Sequence, residues 1–130
     1  MLRACVVDDD KAVSEMLWRW LTMRGFQVEC YDSFAEARVQ LAGSPPDVLV
    51  SDIRLAGYNG LQLATMARAY RPDMVIIVIS GWHDRVLEDY ASWLGARYLQ
   101  KPFSPASLDG MLQGLCASRS VEPPFRAASQ

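Results

Sequence analysis

The chain is poor in the residues that would tie it to several common functions. It has a single histidine, three cysteines and no excess of basic charge. No stretch of apolar residues approaches the ~20 needed for a helix to cross a bilayer. The N-terminus runs straight into a strand-like segment, without the basic, apolar and small-residue blocks of a signal peptide, so the expected location is the cytoplasm. A net charge of −2 and a pI near 5.3 leave no basic footprint for direct contact with nucleic acid. Cys5, Cys30 and Cys116 are odd in number, far apart and without metal-ligand spacing, and are read as buried free thiols. The lone histidine, His83, is read as a helix-start or surface residue. Internal repeats and low-complexity segments are also lacking.

What is present suits one domain. With 130 residues, 51% of them hydrophobic, the chain can build one core but not two. Short apolar runs alternate with segments of helical periodicity. The first run, Leu2 to Val7, ends abruptly in Asp8-Asp9-Asp10, where Asp10 is placed to cap the next helix. That helix carries Val13, Met16, Leu17, Trp20 and Leu21 on one face, with Trp18 pointing elsewhere, and Gly25 closes it. Phe26 to Tyr31 alternates as a less buried outer strand. Ser33 and Glu36 form a capping box for a short helix bearing Phe34, Ala37 and Leu41, which Gly43-Ser44-Pro45-Pro46 ends. Val48 to Val50 is a buried strand that delivers Ser51 and Asp52 at its carboxyl end.

After Asn59-Gly60, a third helix is expected to bury Leu63, Met66, Ala67 and Tyr70. Met74 to Ile79 is the most hydrophobic strand, apolar on both faces, so helices must cover it from both sides as in a parallel sheet. It ends in Ser80-Gly81. A fourth helix, from about His83 to Leu94, is expected to present Val86, Leu87, Tyr90 and Leu94 to the core, with Gly95 closing it. Ala96 to Gln100 forms a fifth strand ending in Lys101-Pro102. Ser104-Pro105 opens a last helix with Leu108, Met111, Leu112 and Leu115 as its apolar stripe. From Ser118 onward a frayed tail is expected. Strand and helix thus alternate about five times, which demands right-handed crossovers and a parallel sheet.

In such a sheet all strand carboxyl ends share one edge, where open α/β sheets bind ligands. The alternation therefore gathers Asp8 and Asp9, Asp52, Ser80 and Lys101 at one place. Three carboxylates in proximity repel, at about 4 kcal/mol for a like-charge pair ~4 Å apart in an effective dielectric of ~20. A hard divalent cation removes that penalty. Mg²⁺ takes oxygen ligands, keeps several waters and leaves room for phosphoryl oxygens. With a lysine and a hydroxyl opposite, the set suits in-line phosphoryl transfer to a carboxylate oxygen.

Val6-Val7-Asp8-Asp9-Asp10, Val50-Ser51-Asp52-Ile53-Arg54 with Gly57 and Gly60, Val78-Ile79-Ser80-Gly81 and Leu99-Gln100-Lys101-Pro102-Phe103 together resemble the receiver domain of two-component response regulators. The resemblance covers residues 2–117. It implies a flavodoxin-like (βα)5 fold, a doubly wound parallel sheet with strand order 2-1-3-4-5. Asp52 would accept a phosphoryl group from a phosphohistidine of a sensor histidine kinase or phosphotransfer protein. Mg²⁺ would be held by Asp8, Asp9 and Asp52 with the backbone carbonyl of Arg54, Asp9 being the more direct ligand of the first two. Lys101 and Ser80 would bind the phosphoryl group. Ser80 and Tyr98 would act as the switch pair, and the Lys101–Pro102 bond would be cis. Arg54 and Trp82 would modulate dephosphorylation, Trp82 by shielding the acyl phosphate from water.

Ala56 stands where the family usually has proline, and Asn59 where it usually has aspartate; both flank the site. The face of the fourth helix, fifth strand and fifth helix would be read by partners and would serve a homodimer. Trp18 and Trp93 are candidates for partner contact. The expected division is a receiver domain over 1–117 and a flexible tail or linker over 118–130. Three other readings fit less well. An aspartyl-nucleophile phosphatase of the haloacid dehalogenase type wants an acid two residues after the nucleophile, where Arg54 stands. A dinucleotide-binding domain wants glycines after the first strand, where aspartates stand. A pseudo-receiver that serves only as an interaction module would not need Asp8, Asp9, Asp52 and Lys101 intact.

Overall fold

Strand β4, Val75–Ser80, is buried at every position, and its six residues divide the interior. Ile76 and Val78 point to one side of the sheet, Val75, Ile77 and Ile79 to the other, as the period-two pleat requires. The structure is a computed structural model. It describes residues 1–55, 58–81 and 83–118, with the backbone alone for 55, 58, 59 and 114–118. Around β4 lie β3 (Val48–Asp52), β1 (Arg3–Val7), β2 (Gln27–Tyr31) and β5 (Arg97–Gln100). All four pairings are parallel, in the order β2-β1-β3-β4-β5. This is the flavodoxin-like arrangement expected from the sequence.

Five helices cover the two faces: α1 (Lys11–Met23), α2 (Phe34–Gly43), α3 (Gly60–Tyr70), α4 (Arg85–Trp93) and α5 (Pro105–Ser118). Leu17, Trp20 and Leu21 of α1 and Leu108 and Leu112 of α5 pack on Val48, Val50, Ile77 and Ile79. Ala37 and Leu41 of α2, Leu63, Ala64 and Ala67 of α3, and Ala91 of α4 pack on Cys5, Leu49, Ile76 and Val78. The caps are the expected ones. The Asp10 carboxylate accepts from the amides of Ala12 and Val13, and the Ser33 hydroxyl accepts from the Glu36 amide. Gly25 and Gly95 take the left-handed conformation after α1 and α4, with φ of 93° and 73°, which costs glycine nothing.

Two helices bury only part of the expected face. In α3 Leu63 and Ala67 are buried as expected, together with Gly60, Leu61 and Ala64, while Tyr70 is 43% exposed. The small side chains let α3 lie close to the sheet, and a scale weighted toward bulk puts Tyr70 on the wrong side. In α4 the sheet-facing row is Leu87, Ala91 and, at the C-cap, Leu94. Val86 and Tyr90, expected inside, are 76% and 42% exposed. Asp84, not His83, sets where α4 begins, because its carboxylate accepts from the amides of Val86 and Leu87. Cys5 is buried but Cys30 is exposed, a consequence of β2 lying at the sheet edge. A two-rung antiparallel hairpin, Arg54–Leu55 with Tyr58–Asn59, follows β3 and was not anticipated. The side chains of Leu115 and Cys116, and Ala56, Gly57, Trp82 and the tail from 119 onward, lie outside the described residues.

The exposure of Val86 in α4 has a measurable consequence. Ile77→Ala, at a fully buried position, should lower unfolding free energy by about 2–5 kcal/mol. Val86→Ala should change it by less than about 0.5 kcal/mol. Urea unfolding of both variants checks the assignment, and a loss at Val86 as large as at Ile77 would contradict it.

Candidate functional site

Asp8 is the first residue past β1. Its amide donates to the Tyr31 carbonyl at 3.1 Å, which extends the β1–β2 pairing by one rung and turns the side chain to the sheet edge. Its Oδ1 accepts from the Asp10 amide at 2.8 Å. The adjacent Asp9 is exposed. Asp52 is the last residue of β3 and only 7% exposed. Its Oδ1 accepts from the Arg54 amide at 3.1 Å.

Behind Asp52 the chain is held tightly. The Ile53 amide donates to the Ile79 carbonyl at 2.8 Å, and the Gly60 amide to the Ile53 carbonyl at 2.6 Å. A Cβ on Gly60 would collide with the Asp52 carbonyl oxygen and lie 2.9 Å from the Asp52 carbonyl carbon and the Ile53 Cα. Position 60 therefore requires glycine, a site constraint that the sequence signalled as an Asn-Gly turn and as part of the receiver-like motif after Asp52.

Lys101 completes the edge. Its amide donates to the Ser80 carbonyl at 2.7 Å, one rung past the end of β5, and Ser80 is itself buried. The Lys101 Nζ lies 3.4 Å from Asp52 Oδ2 and 3.5 Å from Asp8 Oδ2. The Lys101–Pro102 bond is cis. One carboxylate oxygen from each of Asp8, Asp9 and Asp52 falls within 4.8 Å of the others. Four strands thus bring Asp8, Asp9, Asp52, Ser80 and Lys101 to one edge, as expected.

The other expected positions are less central. Tyr98 is half-buried and packs on the core under α2, α3 and α4. It pairs with Val78 in register, so it lies on the same sheet face as Ser80. The Arg54 side chain is exposed, and its backbone amide serves Asp52. Trp82 is outside the described residues.

Charge is unbalanced in this cluster. Burial is the main cause that pushes the Asp8 carboxyl up from 3.8 to about 6, with the Asp52 carboxylate adding to it and the Asp10 amide and Lys101 opposing it. Burial would lower the Lys101 ammonium, but Asp8 and Asp52 outweigh that and raise it. Asp8 Oδ2 is buried and, at 3.5 Å from the Lys101 Nζ, is met by an ion pair too long to be a well-formed hydrogen bond. A buried carboxylate oxygen so weakly satisfied is costly. The Lys101 ammonium faces two of the three clustered carboxylates. An oxygen-seeking divalent cation such as Mg²⁺ fits this donor set, because it would take up the weakly satisfied oxygen and the surplus negative charge.

A family model for the response regulator receiver domain matches residues 4–113, and the chain belongs to that family. It is therefore a signalling domain of two-component systems. Response regulator MprA of Mycobacterium bovis (strain BCG / Pasteur 1173P2) is 36% identical over 130 residues, covering 98% of this chain and 55% of that protein. Response regulator MprA of Mycobacterium ulcerans (strain Agy99) is 35% identical over 123 residues, covering 93% and 53%. The chain spans about half the length of the curated relatives it matches. Among solved structures, a response regulator receiver protein from Sinorhizobium medicae WSM419 has 31% identity and a TM-score of 0.82 over 91% of this chain and 96% of its own. The CheY-like receiver domain protein from Methanospirillum hungatei JF-1 shares the fold at 24% identity, with a TM-score of 0.84 over 92% and 98%.

The raised Asp8 carboxyl inverts the usual pH dependence of an aspartate. Between about pH 4 and 6 the folded chain holds a proton that the unfolded chain has released. Stability without metal therefore falls as pH rises through that window. In EDTA at pH 7, Asp8→Asn should be more stable than the natural chain by about 2 kcal/mol, and the gap should close toward pH 4. Urea unfolding across this range is the check, and a less stable variant at pH 7 would contradict the charge account.

Proposed function

We propose that this domain is a phosphorylation-operated switch in which Asp52 receives a phosphoryl group from a phosphohistidine of a sensor histidine kinase or phosphotransfer protein. The observation that carries the reading is the Lys101 ammonium lying 3.4 Å from Asp52 Oδ2 and 3.5 Å from Asp8 Oδ2 at the edge of a parallel sheet. In this reading an Asp52 carboxylate oxygen attacks phosphorus in line and the phosphorus–nitrogen bond of the donor breaks. Lys101 neutralises one phosphoryl oxygen and the Ser80 hydroxyl donates to another. Asp8, Asp9 and Asp52, with the Arg54 carbonyl, hold Mg²⁺, which when bound supplies charge neutralisation at the transferring oxygens. The Arg54 amide fixes the Asp52 rotamer from behind, as it does in the structure.

Phosphate at Asp52 shifts the domain only insofar as one conformation binds it better than the other. Ser80 and Tyr98 carry that difference, since both lie on one sheet face next to α4. Arg54 and Trp82 set the rate at which phosphate is lost, and turnover of outside substrates is not part of this role. The face of α4, β5 and α5 is the surface for partners and for a homodimer. Between α4 and β5 it includes Arg85, Glu88, Asp89 and Arg97 around Tyr98, so its recognition is polar. Residues 1–117 serve as the receiver and 118–130 as tail or linker, acting in the cytoplasm without direct contact to nucleic acid. Among the described residues no helix is long and apolar enough to cross a membrane.

Incubation with acetyl phosphate tests the reading by intact-protein mass. The natural chain should gain one phosphoryl group only when Mg²⁺ is present, and Asp52→Asn should gain none. Lys101→Ala should slow the reaction by about 10²-fold, the size seen when one transition-state donor is removed. Labelling of Asp52→Asn at the natural rate would overturn the assignment.

A further inference from the structure

The α4 helix is held differently at its two ends. At its C-terminal end, the Arg68 guanidinium of α3 donates to the Leu94 carbonyl at 2.9 Å and to the Gly95 carbonyl at 3.2 Å. The same guanidinium donates to the carbonyls of Pro72 and Met74, at 2.9 Å and 2.5 Å. One side chain thus fastens the end of α4 to the frame of α3 and β4. At the N-terminal end the polar contacts among the described residues run within the segment itself. Asp84 caps its own helix, His83 faces Glu88 at 3.9 Å and Arg85 faces Asp89 at 3.6 Å. Ala91 is the one buried residue of the helix, against five in α3. Lightly packed elements of this kind open first.

Between pivot and loose end, among the described residues, sits one cross-helix side-chain hydrogen bond. The Thr65 hydroxyl of α3 donates to the Leu61 carbonyl at 2.7 Å. Its only proton is used there, so in the 3.3 Å contact between Thr65 Oγ1 and Tyr90 Oη the tyrosine donates. Tyr90 in turn stacks on the exposed Trp93, with ring centroids 6.0 Å apart and planes at 17°. On the α3 side the frame is rigid, because Gly60 presses against the Asp52 backbone one residue before Leu61.

We propose that the Tyr90–Thr65 hydroxyl pair is a latch. It holds α4 against α3 in the unphosphorylated chain, and it parts when the segment between Ser80 and α4 swings the helix about its Arg68-pinned end. This rests on the switch proposed above for the change of state, but the latch in the resting chain can be measured without it. Each partner has a conservative test: Tyr90→Phe removes the phenolic hydroxyl, Thr65→Val replaces the hydroxyl with a methyl, and Thr65→Ser keeps it.

Amide hydrogen exchange over residues 87–94 is the readout, with β4 amides as the internal control for folding. In the unmodified protein, Tyr90→Phe and Thr65→Val should each speed exchange in α4 about two- to fivefold, the factor expected for one exposed hydrogen bond. The β4 amides should not change, and Thr65→Ser should behave as the natural chain. Equal α4 exchange in all four proteins would overturn the latch. With Mg²⁺ and beryllofluoride the natural chain should exchange as fast as Tyr90→Phe, because the bond is already open. A gap of undiminished size in that state would overturn the latch as part of the switch. If beryllofluoride produces no change that depends on Asp52, the switch reading falls, while the resting-state comparison still decides whether the bond restrains α4.

Discussion

A single ammonium between two carboxylates at the edge of the sheet is the interaction on which the rest of this structure depends. Lys101 faces Asp52 and Asp8 together, and these three residues come from parts of the chain that only the β1-β3-β4-β5 arrangement can unite. Pairwise attraction alone does not make such a cluster favourable. The carboxylates desolvate and repel one another, and the rise of Asp8 to about 6 expresses that cost. The core of stacked β-branched residues in β3 and β4 holds the cluster in place against it. Stability is given up where charge is concentrated, and that concentration is what a metal ion and a phosphoryl group can use.

Geometry behind the site is as restrictive as charge within it. Gly60 lets α3 begin in contact with the Asp52 backbone, and the amides of Ile53 and Arg54 fix the main chain and the carboxylate. Asp52 is thus set on the stable side of the molecule. On the other side of the same edge, β4 leads through Ser80 into α4, a helix with one buried residue. The domain therefore combines a fixed carboxylate at Asp52 with a lightly held neighbour, the combination that a two-state response of the proposed kind requires.

Much of this was legible in the sequence because it rests on strong local signals. The all-apolar run from Met74 to Ile79 required a sheet covered on both sides. Polar residues at Asp8, Asp52, Ser80 and Lys101 interrupted apolar strands at their carboxyl ends, and the parallel topology followed from the alternation of elements. The caps at Asp10 and Ser33 and the glycines at 25 and 95 appeared where backbone hydrogen bonding and positive φ demand them. What failed was one edge of the buried stripe in helices whose contact residues are small. Ala64 and Ala91 lie on the buried faces of α3 and α4 beside the expected Ala67, yet alanine carries little weight beside Tyr70, Val86 and Tyr90. Exposure of Cys30 depended on β2 being an edge strand, which its own alternation suggested only in part. The close contact of Gly60 with Asp52 depends on three-dimensional proximity, so the turn dipeptide and the motif mark the glycine without giving its reason.

If the anionic cradle is a cation site that Lys101 partly fills, the ammonium and Mg²⁺ compete for the same oxygens. Calorimetric titration of Mg²⁺ in the absence of any phosphoryl donor measures this directly. The account predicts one site per chain, weakened by Asp9→Asn and tightened by Lys101→Met, which removes the competing charge. An affinity unmoved by both substitutions, or no binding by the natural chain, would contradict it.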